Sequence, residues 1–204
     1  MAGPTPAFWQ QRFETGSTPW DRGEAGPQLQ RWLDRGAIAP GERVVVPGCG
    51  SGWEVAALAA AGVDAVGLDY VAAAVERTRT LLAAHGLAAE VMQADVLQWR
   101  PSMQVDAVYE QTCLCALHPD LWSAYAAQLA AWVRPGGRLL ALFMQKREAS
   151  AGEGVVSGPP YHCDIHAMRA LFPSIGWAWP KPPYAHVAHP SGAYELAVEL
   201  VRQA

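Results

Sequence analysis

Gly48, Gly50 and Gly52 in VVVPGCGSG, with Asp69 closing the run DAVGLD about 20 residues on, are the residues whose types and spacing first suggest chemistry. Glycines at that spacing let the backbone turn sharply and approach a ligand closely. A helix starting after them points its free N–H groups at whatever is bound. A carboxylate at the end of the next strand is placed to accept hydrogen bonds from a ribose diol. The pattern predicts a ligand that contains a nucleoside; a tight turn used only for packing is the alternative.

The third glycine decides which nucleoside cofactor fits. A dinucleotide fingerprint GxGxxG that begins at Gly48 and Gly50 needs a glycine at position 53, where the chain has Trp53. An indole there fills the space in which helix, strand and pyrophosphate would meet, so NAD is disfavoured. The form actually present, GxGxG, resembles motif I of class I S-adenosylmethionine-dependent methyltransferases, whose cofactor has a ribose diol and an amino-acid tail but no phosphate.

The elements that must hold these residues are legible on either side of them. Val44 to Val46 is a β-branched run suited to a buried strand, and Ala65 to Leu68 reads as the second strand. Val71, Ala74, Val75, Thr78, Leu81 and Leu82 fall at helical spacing over Val71 to His85. Ala89 to Met92 and Val105 to Tyr109 read as strands three and four. Trp122, Tyr125, Leu129 and Trp132 form a helical stripe entered at Pro119 and stopped by Pro135, Gly136 and Gly137. Leu139 to Met144 is a continuous apolar fifth strand, and Ile175 to Trp179 with Tyr194 to Val201 reads as a terminal hairpin across a proline-rich loop. Such alternation predicts an α/β fold, a mostly parallel sheet with helices on both faces and the ligand at the carboxyl edge of the strands.

Composition sets bounds on partners. At 204 residues the chain is expected to be one domain, residues 1–204, with residues 1–36 a leader or lid over the cofactor. The 51% hydrophobic and 17% charged fractions describe a globular protein, and a net charge of -4 offers no attraction to nucleic acid. The start MAGPTPAFWQQRFE has no basic region followed by an apolar run, and nowhere do 18 apolar residues follow one another. The expectation is a cytoplasmic monomer acting on a small molecule, without membrane. Cys49, Cys113, Cys115 and Cys163 form no CxxC pair, and His162 and His166, four apart, could share a helix face but have no further ligand cluster, so no metal is expected.

Other residues should reach the same edge. Asp95, at the end of strand three, could bond the exocyclic amine of an adenine with Val96 giving its backbone N–H; the alternative is an ordinary turn aspartate. Glu110 and Gln111 follow strand four, where a ligand's polar tail would pass, and a structural salt bridge is the other reading of Glu110. Cys113 and Cys115 could line the pocket or pack as small core residues. Trp9, Phe13 and Trp20 stand in FWQQRFETGSTPWDRG ahead of the first strand. They either anchor that leader or close over the cofactor, since a sulfonium cation is attracted to aromatic faces.

Seven ordered segments, STPWDRG, VVVPGCGSG, GLD, ADVLQWRP, CALHPDLWSAY, VRPGG and GPPY, together resemble the thiopurine and thiol/halide methyltransferase family from about Phe8 to the C-terminus. The resemblance implies a class I methyltransferase, Rossmann-like fold with seven strands ordered 3-2-1-4-5-7-6, the seventh antiparallel. It implies cofactor contacts at Trp9 and Trp20, at Gly48 and Gly50, at Asp69 on the ribose, and at Asp95 with Val96 on the adenine. Phe13 departs from the plant thiol/halide branch, which looks to carry a tryptophan there. Family members that act on thiopurines carry an arginine where this chain has Gln111, so the likeness leans toward methylation of thiocyanate, hydrosulfide, small thiols or halides. Tyr161 in GPPY would be a substrate-site hydroxyl. Two other readings stay open on the residues: an NAD(P)-dependent oxidoreductase, and a module that binds S-adenosylmethionine without catalysis.

Overall fold

Val44, Val45 and Val46 are all buried, as a run covered on both faces must be, and they form the centre of β1 (Arg43–Pro47). A computed structural model describes residues 3–146 and 156–204. In it β1 pairs in parallel with β2 (Asp64–Asp69) on one side and β4 (Val105–Gln111) on the other. β2 carries β3 (Glu90–Gln93), and β4 carries β5 (Val133–Gln145), again in parallel. β8 (Tyr194–Arg202) then adds antiparallel to β5, giving the order β3-β2-β1-β4-β5-β8-β6.

Seven strands were expected and the sheet has eight among the described residues. β6 (Trp177–Ala178) pairs with the carboxyl half of β8, and β7 (Ala185–Ala188) with its amino half. The two lie end to end as one edge strand broken by the segment holding Pro180, Pro182 and Pro183. Proline lacks the N–H that a ladder needs, so the edge cannot run through. The expected 3-2-1-4-5-7-6 order is otherwise the observed one.

Helices cover both faces. α3 (Trp53–Ala60) follows the glycine turn, and α4 (Ala72–Ala84) fills the span expected for the amphipathic helix. A 3-10 turn over Pro119–Leu121 leads into the helical stripe of Trp122, Tyr125, Leu129 and Trp132, which ends at Trp132, short of Pro135. Val133 is already extended and pairs with Val105, so the fifth strand starts six residues before Leu139, with a register shift between Val105 and Ala107. Four helices were not anticipated. They are Pro6–Glu14 (α1), Pro27–Asp34 (α2), the single turn Cys113–Ala116 (α5) and Ile165–Leu171 (α7); Trp122–Trp132 is α6.

Within residues 1–36 two roles separate. α2 buries Leu29 and Trp32 in the sheet core, where Trp32 meets Tyr109 edge-on at 5.8 Å. α1 instead sits against α4, with Phe13 packed on Val71 and Ala74. His162 precedes the Asp164 cap of α7, so it does not share a helix face with His166.

Candidate functional site

The turn after β1 folds as its glycines allow: Gly48, Gly50 and Gly52 have φ of 61°, 55° and 83°, a region that side chains disfavour. A Cβ on Gly52 would stand 2.5 Å from the Thr78 methyl, so α4 approaches the turn closely. Thr78 is fully buried and its hydroxyl donates to the Gly50 carbonyl at 3.0 Å. Across the turn, the Gly50 N–H donates to Asp69 Oδ2 at 3.1 Å and the Val71 N–H to Oδ1 at 3.0 Å. Asp69 therefore ties strand two to the glycine turn while forming part of a cavity wall.

That cavity, about 370 Å³, opens at the carboxyl edge of the sheet. The strand ends supply Gly48 and Gly50, Asp69, Asp95 with Val96, Thr112, and Met144. Trp9, Phe13 and Trp20 close it from the leader side, with Trp9 and Trp20 edge-on at 5.3 Å and Phe13 and Trp20 at 6.0 Å. A smaller cavity of about 60 Å³ shares Trp20, Gly48, Gly50 and Thr112 with it and runs toward Arg22, Glu54 and Gln111. Asp21 fixes the leader over this junction, accepting from Trp53 Nε1 at 2.8 Å and from the Ser51 hydroxyl. Trp53 thus occupies the position where a third dinucleotide glycine would lie, held by a side chain of the leader.

Nine sequence-selected residues divide as follows. Trp9, Phe13, Trp20, Gly48, Gly50, Asp69, Asp95 and Val96 meet at the larger cavity, whereas Gln111 faces only the smaller one. Gln111 is held there by two bonds, accepting from the Tyr109 hydroxyl at 2.7 Å and donating to Glu195 Oε2 at 2.9 Å. Asp95 lines the cavity and also caps its own turn, accepting from the Leu97 N–H at 2.9 Å. Cys113 and Cys115 likewise are both buried and cavity-lining, with thiols that burial keeps protonated.

Two expectations are corrected. Tyr161 is 5% exposed and does not line the cavity, which Pro159 and Pro160 line instead; its N–H bonds the Cys115 carbonyl at 2.7 Å and its ring meets His118 edge-on at 5.4 Å. Among the described residues Glu110 lines neither cavity and has no salt-bridge partner. It accepts from the Leu114 N–H at 2.6 Å and so holds the first turn of α5.

Sequence reasoning missed several lining residues. Arg12, Lys146, His189 and Ser191 all reach the larger cavity. β8 is antiparallel, so its amino end lies at the carboxyl edge of the parallel strands, with Tyr194 opposite Gln145, and the turn before it is carried to the site. A resolved β7–β8 hairpin would have been the signal. Thr112 was also missed: it touches both cavities with φ of 62°, a left-handed conformation that costs a non-glycine residue about 1–3 kcal/mol. Such strain directly after strand four marks a position the surrounding contacts enforce.

Burial leaves four carboxyl groups reluctant to ionise: Asp69 at about 6, Glu110 at about 7, Glu195 at about 8, and Glu54, which is also held above the usual carboxylate range. Each is raised chiefly by desolvation and pulled back by its hydrogen bonds. A folded carboxyl that holds its proton above the unfolded pKa contributes stability at low pH and loses it as pH rises through the folded value. We expect the melting temperature of the ligand-free chain to fall between about pH 5 and pH 8 by this route. A flat or rising profile in thermal unfolding would show that these groups ionise freely.

Among the described residues no group of three or more His, Cys, Asp or Glu side chains could hold a metal. Residues 4–190 match the thiopurine S-methyltransferase family. A probable thiol methyltransferase of Arabidopsis thaliana is 30% identical over 171 residues, which cover 83% of this chain and 73% of that protein. A thiopurine S-methyltransferase of Pseudomonas putida (strain GB-1) is 30% identical over 190 residues, 84% of this chain and 83% of its own length. In fold, the magnesium protoporphyrin IX methyltransferase of Synechocystis PCC 6803, solved with bound S-adenosylhomocysteine, superposes with a TM-score of 0.73 at 21% identity, covering 97% of this chain and 99% of that one.

Proposed function

Because the chain belongs to the thiopurine S-methyltransferase family and is an S-adenosylmethionine-dependent methyltransferase, we propose that it methylates a small sulfur or halide nucleophile in the cavity beneath its aromatic leader. The observation that carries this reading is the buried Asp69 carboxylate beside the glycine turn, with Trp9 and Trp20 across the same space.

These residues suit the donor group by group. Asp69 would accept from the ribose hydroxyls, and Asp95 with Val96 would meet the adenine. The smaller cavity, lined by Arg22, Glu54 and Gln111, suits a zwitterionic amino-acid tail. Trp9, Phe13 and Trp20 would lie against the sulfonium. A volume of about 370 Å³ falls within the range of about 300–1,000 Å³ usual for small-molecule sites.

The cofactor supplies an activated methyl group; the protein's part is to hold a nucleophile in line and keep water out. As the nucleophile's lone pair forms the new bond to carbon, the sulfonium C–S bond breaks and leaves a neutral thioether. An anion and a cation become two neutral species, so a poorly hydrated cavity favours the step. Arg12 and Lys146 on the wall favour an incoming anion. Thiocyanate, halide and thiolate need no base. The cavity cations also mean that the absence of arginine at Gln111 does not leave the site without positive charge. No helix among the described residues is long and apolar enough to cross a membrane.

Iodide, thiocyanate, hydrosulfide, an aromatic thiol and a thiopurine, each assayed with S-adenosylmethionine by release of S-adenosylhomocysteine, should separate the branches. Small anions are expected to give the higher kcat/KM. A thiopurine in first place would reverse the substrate assignment. Cofactor binding without product from any of the five would overturn the assignment to small sulfur and halide nucleophiles.

A further inference from the structure

His189 is held so that one edge of its ring has no partner. The turn between β7 and β8 is closed by the His189 N–H to the Ala193 carbonyl and the Gly192 N–H to the His189 carbonyl, both at 3.0 Å. Within it the Ser191 N–H donates to His189 Nδ1 at 3.2 Å, and Ser191 Oγ lies 2.7 Å from the same nitrogen. A backbone N–H can only donate, so Nδ1 is the acceptor and, in a neutral ring, the proton sits on Nε2. The ring is neutral: burial and the nearby Arg22 guanidinium push it down to about 4. His189 is 6% exposed, and Nε2 is buried with no hydrogen-bond partner among the described residues.

A buried N–H donor without an acceptor is uncommon and calls for an explanation. His189 and Ser191 form part of the larger cavity wall, on the side of Met144 and Lys146, away from the glycine turn and Asp69. The cavity is where an acceptor would arrive. We propose that His189 Nε2–H donates a hydrogen bond to the anionic sulfur or halide nucleophile and thereby sets its position and the preference of the site for anions.

This deepens the reading of the site as one for small anionic nucleophiles and rests on it. A neutral donor suits the purpose because it orients the anion without neutralising it, and so leaves its lone pair for the methyl carbon. It also makes the contact independent of pH across the range in which thiols ionise. The charged group that acts on the ring is Arg22, whose guanidinium also bonds the Ala188 carbonyl and lies 4.0 Å from Glu195.

Steady-state kinetics with thiocyanate and iodide at saturating S-adenosylmethionine test the proposal on H189L and H189Q. Leucine removes the donor at similar bulk, whereas the glutamine amide can return an N–H to about the place of Nε2. H189L should raise KM for both anions by about tenfold or more, the range for a hydrogen bond to a charged group, with cofactor affinity within about twofold. H189Q should recover most of that loss and keep the wild-type pH profile. An unchanged KM in H189L, or a loss expressed in cofactor affinity instead, would overturn the assignment.

A second measurement does not depend on the variants folding. In the wild-type protein saturated with S-adenosylhomocysteine, thiocyanate should shift the His189 Nε2 nitrogen and proton resonances. Thiocyanate that binds without moving them would also overturn it. Neither result requires turnover, so failure of the wild-type enzyme to release product would count against the proposed function alone.

Discussion

A chain lacking residues 1–21 should fold and melt cooperatively yet turn over far more slowly than the intact protein. The two main core clusters begin at Leu29, with Ala25 packed at their margin, so no earlier residue among those described is needed to fill them. The leader is instead tied to the site. Phe13 packs on Val71 and Ala74, its carbonyl accepts from the Arg77 guanidinium, and Asp21 holds Ser51 and Trp53 at the start of α3. Removing Trp9 and Trp20 takes away two aromatic faces, each about 0.5–2 kcal/mol against a cation. Together that is roughly fivefold to nearly a thousandfold in kcat/KM, before any effect of admitting water. Release of S-adenosylhomocysteine, alongside thermal melts, measures it. Full activity in the truncated chain would refute the lid.

Asp69→Ala should weaken S-adenosylmethionine binding by about 1.5–3 kcal/mol, roughly tenfold to more than a hundredfold in Kd, the cost of losing a hydrogen bond to a charged acceptor. The structure adds a second route to the same loss. Without the carboxylate, the N–H groups of Gly50 and Val71 lose their acceptors at 3.1 and 3.0 Å, and the glycine turn loses its tie to strand two. Asp69→Asn keeps the volume and one acceptor oxygen, so it should lie between alanine and wild type. Because Asp69 in the empty site holds its proton to about 6, binding through the carboxylate should release protons near pH 5.5, and affinity should rise through that range. Calorimetry in buffers of different ionisation enthalpy reads both effects. Unchanged affinity in the alanine variant would remove Asp69 from the site.

The part of the site nearest β1 and β2 was readable in the sequence because its chemistry is local. Glycines needed for positive φ, a carboxylate closing a β-branched run and an aromatic leader are all short-range signals. The strand order was not read from periodicity; it came with the family resemblance, and the structure has it. What failed was the orientation of side chains beyond the strand ends. Gln111 and Glu110 leave the same strand end, yet one bonds Glu195 and the other α5, and nothing in their spacing separates them. Tyr161 follows two prolines that do reach the cavity, yet it is itself buried beside His118 with its N–H on the Cys115 carbonyl. His189 was invisible for another reason. It follows a strand of four residues after a proline segment, and only the antiparallel pairing with β8 brings it to the carboxyl edge. The helices α1 and α2 were hidden in a stretch whose polar residues mask the spacing of Phe13, Leu29 and Trp32.

The proline-broken border of the sheet has a consequence for the life of the protein in a crowded solution. A long unpaired strand is a template on which another polypeptide can register, the first step toward fibrils and swapped assemblies. Here that border is cut into pieces of two and four residues, separated by a segment that cannot donate a continuous ladder. Neither piece offers enough consecutive N–H and C=O groups to seed growth, so the molecule can keep one flank of its sheet uncovered and still resist polymerising through it.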